Sequence, residues 1–247
     1  MKKSNAFTLA EVLITLGIIG IVAAMTLPTL IANYQKKVYV NQLKKVVNTT
    51  QNACKMALAD DEVSDFGNTS LAKALVPPFN PTIIKQYFKA IDITTASSSN
   101  SHNHNSYGSS IDTNDFTTLT MPDGSNIYLK TNATAYLPDI GYGNYPGHGY
   151  YDDPNSWQYS DATELSVFTD INGSNRAPNT IGIDQYAFTL NSNCNIEPIK
   201  EQRECSRDLL TGHGAAAWSC FDYILKNNWE IKYNLPARNN YSHSHNH

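Results

Sequence analysis

The chain has 247 residues, of which 41% are hydrophobic and only 16% are charged. This hydrophobic fraction excludes a disordered polyelectrolyte, and the low charged fraction excludes a coiled coil. Eighteen Lys and Arg against 22 Asp and Glu give a formal net charge of -4, so the positive charge typical of nucleic-acid-binding proteins is missing. An even number of cysteines without a C-x-x-C pair is compatible with an exported protein.

The main apolar segment lies at the N-terminus, after a short polar leader that carries Lys2 and Lys3. Residues 7–32 contain one charged residue, Glu11. As a helix at about 1.5 Å per residue, this segment spans roughly 39 Å, which exceeds the ~30 Å hydrocarbon core of a bilayer. The segment is therefore predicted to cross a membrane once.

Two ordinary explanations of this segment each leave a feature unexplained. A cleaved secretory signal fits the two lysines, but residues 22–25 offer a poor cleavage site and the apolar stretch is long for a signal. A plain anchor fits the length but not Glu11, because a carboxylate in a membrane helix costs about 3 kcal/mol and by default marks function. A third, specialised class of segment is indicated by the residues at its start.

The sequence from Ala6 to Glu11, A-F-T-L-A-E, resembles the processing site of type IV prepilins and type II secretion pseudopilins. The resemblance implies that a membrane peptidase cuts between Ala6 and Phe7 and that the new amino terminus is methylated. It assigns Glu11 to assembly, where the carboxylate pairs with the Phe7 amine of a neighbouring subunit. Pro28 stands where the family has a helix-disrupting proline. Ala6 replaces the glycine that usually precedes the cut, so we expect slower processing.

The domain organisation implied by this resemblance has four parts. They are a leader (1–6), a transmembrane and assembly helix (7–32), an amphipathic spine helix (33–60) and a globular head (61–247). In the spine, apolar or small residues recur every three or four positions, which predicts one packed face. The expected fold class is α+β, with a long N-terminal helix followed by an antiparallel sheet, as in pilins.

The head contains clear local signals for secondary structure. Asn80 and Pro81 suit the cap and the first position of a short helix. Strands separated by turn residues predict one hairpin and a second pair, over residues 115–121 with 126–130 and 164–169 with 186–190. Residues 94–110 are predicted to be a mobile loop, and the Tyr/Gly-rich residues 136–159 a second long loop.

The segment from Asp170 to Asn175 most resembles a binding site, with Asp184 a few residues further on. Alternating Asp170 and Asn172 oxygens before a glycine can surround Ca²⁺, although the third acidic position and final Glu of an EF-hand are missing. The competing interpretation is a strand-ending turn in which these side chains bond their own backbone. The sequence favours the turn and keeps Ca²⁺ as the alternative, since some pseudopilins hold Ca²⁺ in a nearby loop.

The four cysteines allow three pairings. Pilins commonly close a C-terminal region with a disulfide, and a head outside the cytoplasm permits one. We predict that Cys194 pairs with Cys205, which leaves Cys54 and Cys220 either as a second pair under the sheet or as two buried thiols. Their spacing does not form a zinc ligand set.

No G-x-S-x-G, H-E-x-x-H or phosphate-binding glycine loop is present, so neither catalysis nor a required cofactor is expected. The resemblance implies a structural subunit of a type IV pilus, a type II secretion pseudopilus or a DNA-uptake filament. Its implied partners are other pilin subunits, the prepilin peptidase and an inner-membrane assembly platform. The implied location is a single-pass inner-membrane protein with its head outside the cytoplasm, and later a periplasmic or extracellular filament.

Two alternatives remain at this stage. One is a minor pilin at the filament tip, which binds a surface, DNA or a secreted substrate through the Tyr/Gly-rich loop, because such loops serve recognition. The other is a secreted enzyme on a signal anchor. The abundance of the chain in sheared filaments separates a major subunit from a tip subunit.

Overall fold

The computed structural model describes residues 8–95, 103–104, 110–111, 116–131, 140–141, 163–176, 178–198, 205, 219–233 and 235. Four α-helices within these residues are α1 (Leu9–Asp60), α2 (Ser70–Ala74), α3 (Pro81–Tyr87) and α4 (Ser219–Lys226), with a 3₁₀ turn at Phe66–Asn68. The strands are β1 (Asp92–Thr95), β2 (Asn103–His104), β3 (Ser110–Ile111), β4 (Thr117–Thr120), β5 (Asn126–Thr131), β6 (Ile140–Gly141), β7 (Thr163–Asp170), β8 (Gln185–Asn191) and β9 (Ile196–Pro198). A long helix followed by an antiparallel sheet confirms the predicted α+β layout.

Helix α1 is one continuous helix of 52 residues that passes through Pro28 without a break. Large apolar side chains of its first half are exposed as far as Tyr34, whereas one face of its second half is buried, beginning with Val40, Leu43, Val46 and Val47. By length and composition, it is the one helix of the described residues apolar enough to cross a membrane. The helix thus changes its surroundings, but not its backbone conformation, between its two halves.

A six-stranded antiparallel sheet forms the head, in the order β1-β4-β5-β7-β8-β9. The predicted hairpin is confirmed: β4 pairs with β5, and Gly124 in the turn has φ +89, a backbone conformation that glycine adopts without steric cost. The second predicted pair is also confirmed as β7 with β8. Alternate residues place Leu119, Ile127 and Leu129 in the core.

The short helices close the edges of this core. Asn80 caps α3 by accepting hydrogen bonds from the Thr82 and Ile83 backbone N–H groups, and Pro81 occupies the first turn, as predicted. Helix α4 packs on β8 through Phe221, whose ring lies 5.0 Å from that of Phe188. Helix α3, which precedes the sheet in the chain, and helix α4, which follows it, therefore both pack into one hydrophobic core.

A second, three-stranded sheet, β2-β3-β6, falls in segments that the sequence analysis assigns to loops. Strand β2 lies within residues 94–110, β3 lies at the end of that range, and β6 lies within residues 136–159. Each of these strands is two residues long, so no run of alternating residues marks it in the sequence. Thr94 and Thr95 belong to β1, and the remainder of both predicted loops lies outside the described residues.

Three contacts fasten the spine to the sheet. The Lys45 ammonium lies 2.6 Å from the Asp123 carboxylate in the β4–β5 turn. Gln51 donates a hydrogen bond to the Cys194 carbonyl at 3.0 Å, and Cys54 forms a disulfide with Cys194. These contacts join α1 to two separate turns of the sheet.

The disulfide pairing corrects the prediction from sequence. The structure pairs Cys54 with Cys194 and Cys205 with Cys220, rather than Cys194 with Cys205 and Cys54 with Cys220. Closeness in sequence suggested a local loop between Cys194 and Cys205. In the fold, the β8–β9 turn brings Cys194 against the buried face of α1, where Cys54 lies.

We expect the two disulfides to differ in their effect on stability. The Cys54–Cys194 bond closes a loop with a sequence separation of 140, against 15 for Cys205–Cys220. On the chain-entropy account, removing the first with paired Cys→Ser changes lowers the unfolding free energy by about 2 kcal/mol more than removing the second. Denaturant unfolding of the two double variants measures this difference. Equal losses would contradict the entropic account.

Candidate functional site

The N-terminus of α1 is closed by two polar residues. Thr8 is the N-cap, and its hydroxyl accepts a hydrogen bond from the Glu11 backbone N–H at 3.3 Å. In return, Glu11 Oε2 accepts hydrogen bonds from the Thr8 backbone N–H and the Thr8 hydroxyl, both at 2.8 Å. This reciprocal arrangement is a capping box. It holds the predicted assembly carboxylate at the first turn of the helix.

The other residues singled out near the N-terminus are Pro28 and the processing residues Ala6 and Phe7. Pro28 lies inside α1, where it removes one backbone donor but does not interrupt the helix. Ala6 and Phe7, the predicted processing residues, lie outside the described residues. The proposed processing and assembly roles therefore stay predictions at this point.

A buried acidic pocket lies at the end of β7 and the start of β8. Asp170 is 1% exposed and Asp184 is fully buried. Asp170 Oδ1 accepts hydrogen bonds from the Gly173 N–H at 2.8 Å and the Asn172 N–H at 3.3 Å. Gln185 Nε2 donates to Asp170 Oδ2 at 3.2 Å. Asp170 thus closes the tight turn that follows its own strand.

Asp184 closes a second turn that faces the first. Its Oδ1 accepts from the Thr180 N–H at 2.6 Å, and its Oδ2 accepts from the Asn179 N–H at 2.8 Å. Asn172 Nδ2 donates to the same Oδ2 at 3.1 Å and thereby joins the two turns. These are the side chain–backbone bonds of the turn interpretation, and they bring the three residues singled out from the sequence into one pocket.

The two carboxylates lack a cationic side chain among the residues described. The ion pairs found there join Lys45 to Asp123 and Lys226 to Asp222. Burial raises the pKa of Asp170 to about 6. Burial, reinforced by the charge of Asp170, raises the pKa of Asp184 to about 7, although the hydrogen bonds to each carboxylate act in the opposite direction.

The pocket also contains amide oxygens that the sequence did not indicate. Asn179 Oδ1 and Gln185 Oε1 are buried without a hydrogen-bond partner in the described part of the chain. Carboxylate and amide oxygens are the ligands that Ca²⁺ prefers. However, no group of three or more His, Cys, Asp and Glu side chains with metal-binding geometry occurs among the described residues. A cation here would rely on amide or carbonyl oxygens for its remaining ligands.

The pocket loop also contacts the β4–β5 turn. Gly173 has φ +90, and a Cβ built at this position would lie 2.1 Å from the Gly124 carbonyl oxygen. A side chain is therefore excluded, both by conformation and by space. Asn126 Nδ2 lies 3.3 Å from the Ser174 hydroxyl, in a second contact between the same elements. The pocket consequently rests on the turn that the spine holds through Lys45.

Comparison with known proteins gives a match to a family and a match to a curated relative. Residues 1–27 match the family described as the prokaryotic N-terminal methylation motif. The chain is 32% identical over 83 residues to the type II secretion system core protein G of Vibrio cholerae serotype O1, a match covering 33% of this chain and 55% of the relative. The chain thus spans about half the length of that relative. No solved structure gives a significant match.

The buried pocket predicts an unusual pH dependence. Because the pKa values of Asp170 and Asp184 are raised from 3.8, the folded chain binds more protons than the unfolded chain between about pH 4 and 7. These two groups therefore make the unfolding free energy fall as pH rises through this range and level off above it. Denaturant unfolding in EDTA from pH 4 to 8 measures the slope.

Asp184→Asn should make this slope shallower, because the group that titrates highest is removed. Asp123→Asn is the matched acid-to-amide control, since Asp123 lies outside the pocket, has a lowered pKa and pairs with Lys45. It should leave the fall between pH 4 and 7 in place. An unchanged slope in Asp184→Asn would contradict the assignment.

Proposed function

We propose that this chain, a member of the pilin and pseudopilin family, is a structural subunit of a type IV pilus or type II secretion pseudopilus. The N-terminal methylation motif and the secretion-system relative support the family, whose members are structural subunits rather than enzymes. In this proposal, the chain is inserted in the inner membrane with its head outside the cytoplasm. Cleavage after Ala6 then releases it for assembly through α1 into a filament.

The observation that carries the proposal is the division of α1 into two halves. Its first half exposes apolar side chains, such as Leu13 at 61% and Ile19 at 63%, which require lipid or the helices of other subunits around them. Its second half packs one face against the head. A subunit that leaves the bilayer for a filament exchanges one apolar environment for another and carries the head along.

Glu11 has the geometry for the assembly role that the resemblance implies. Among the residues that the structure describes, Thr8 holds Glu11 through one of its two carboxylate oxygens. A carboxylate has about four lone-pair positions, so the capping box leaves acceptor capacity for the Phe7 amine of a neighbour. Pairing between the Glu11 carboxylate and the Phe7 amine would then offset the free-energy cost of placing these two charges in an apolar helix bundle.

We expect wild-type protein from its own host to give an N-terminal peptide that begins with N-methylated Phe7. Glu11→Ala should be inserted and cut like the wild type but be depleted in sheared filaments. Glu11→Gln keeps the capping-box acceptor and removes the charge, so it should be depleted to a similar degree. Mass spectrometry of the peptide and immunoblots of sheared filaments measure the two steps.

These readouts separate the parts of the proposal. An intact Met1 would overturn processing, and normal incorporation of Glu11→Ala would overturn the assembly role of Glu11. Full rescue by Glu11→Gln would show that helix capping, rather than charge, is what assembly requires.

For the acidic pocket, we propose Ca²⁺ as the ligand, held by Asp170, Asn172 and Asp184. Two buried carboxylates that raise each other's energy, together with the unpartnered oxygens of Asn179 and Gln185, favour a bound dication. Such an ion would supply positive charge to the pocket and keep both acids ionised at neutral pH.

At pH 7.5, Ca²⁺ added after EDTA treatment should raise the melting temperature of the wild type, and Mg²⁺ should raise it less because it demands a stricter octahedral geometry. Asp170→Asn and Asp184→Asn should abolish the effect, whereas Asp123→Asn should retain it. Differential scanning calorimetry measures the shift. A wild type that does not respond to Ca²⁺ would leave the pocket as a structural turn.

A further inference from the structure

The point at which α1 leaves its apolar surroundings can be located to a few residues. Tyr34 is 68% exposed and ends the apolar exposed half, and Val40 at 6% is the first spine residue buried in the head. Between them lie Lys36 and Lys37, of which Lys37 is exposed. A tyrosine followed by lysines is the arrangement found where membrane helices enter the headgroup layer.

The length of the helix agrees with this position. From the N-cap Thr8 to Lys36, α1 covers roughly 42 Å at 1.5 Å per residue. A bilayer measures about 40–45 Å when its headgroup layers are included. With the N-cap in the inner headgroup layer, an upright helix therefore places Lys36 and Lys37 in the outer one.

Lys44 and Lys45, further along the spine, contact the head, whereas Lys36 and Lys37 are not held by an acidic side chain in the described structure. Lys44 lies over the Trp229 ring, 5.4 Å from its centroid, and Lys45 pairs with Asp123. Among the described residues, no carboxylate lies within ion-pair distance of Lys36 or Lys37. Their charges are therefore available to a partner at the base of the head.

Processing changes the balance of charge across the membrane. The uncut chain has Lys2 and Lys3 on the inner side and Lys36 and Lys37 on the outer side. Cleavage after Ala6 removes the inner pair and leaves an amine that Glu11 offsets. The processed subunit then has its remaining membrane-proximal lysines on the outer side alone.

We propose that Tyr34, Lys36 and Lys37 form a contact for anionic phospholipid headgroups of the outer leaflet. The proposal of this contact rests on the proposed membrane insertion of α1. It specifies, in addition, the class of lipid that the inserted subunit binds. The two ammonium groups pair with the phosphates of the lipid, and the Tyr34 ring lies at the boundary between headgroups and chains. The contact holds the processed subunit at a fixed depth until it is assembled.

The test uses the full-length processed protein in mixed nanodiscs of phosphatidylglycerol and phosphatidylcholine. Native mass spectrometry after partial delipidation measures which lipid stays bound. The wild type should retain phosphatidylglycerol in preference, and K36Q/K37Q should reduce that preference by roughly 25-fold, at about five-fold per lysine. Lys55→Gln is the control, because Lys55 is exposed on the same helix about 27 Å beyond Lys37.

The outcomes distinguish this contact from the function on which it rests. A preference lost in K36Q/K37Q and kept in Lys55→Gln would support the contact. Lipid retained without a headgroup preference in the wild type, or an equal loss in both variants, would overturn it while leaving membrane insertion intact. A wild type that is recovered outside the membrane fraction and retains neither lipid would overturn the membrane insertion and the contact together.

Discussion

The whole molecule depends on one helix whose backbone hydrogen bonds continue across two different environments. In the proposed membrane-inserted subunit, the first half of α1 must satisfy its backbone groups within the protein, because lipid offers no alternative partner. The second half packs its buried stripe against the head, where the hydrophobic core begins at Val40. Since the same helix passes through Pro28 without interruption, a displacement of one half is transmitted directly to the other.

The head is attached to this helix by contacts of different character. The Lys45–Asp123 ion pair is partly exposed and therefore worth little by itself. The buried apolar stripe and the Cys54–Cys194 bond supply the larger share, one by excluding water and the other by covalent constraint. The ion pair lies at the β4–β5 turn, which the Asp170 loop approaches closely at Gly173.

Local sequence signals predicted the parts of the fold that local physics determines. The apolar run, the spine periodicity, the Asn80–Pro81 helix start and the hairpin turn at Gly124 all depend on neighbouring residues. The predicted cysteine pairing was wrong because the true pairing depends on which turn packs against the spine. The order of strands in the sheet decides which turn this is. Strands β2 and β3 were missed for a different reason: each is two residues long and carries no alternating pattern.

The acidic pocket was predictable only in part. Asp170, Asn172 and Asp184 were recognisable from their spacing, whereas Gln185 enters the pocket because β7 and β8 are paired. Asn179 enters the pocket because its backbone N–H donates to Asp184, in a left-handed backbone conformation with φ 49. The proline before it in the sequence indicates a turn, but not that the turn faces Asp184. The raised pKa values follow from burial, which spacing alone does not reveal.

The disulfides join cysteines that are consecutive along the chain, Cys54 with Cys194 and Cys205 with Cys220. The first bond turns the polypeptide from the end of the spine to the β8–β9 turn into a closed ring that includes strands β1 to β8. A single proteolytic cut anywhere in that ring leaves both fragments covalently attached to each other. In an environment rich in secreted proteases, a nicked head would therefore remain joined to α1, and the damage would become visible as two pieces only after reduction.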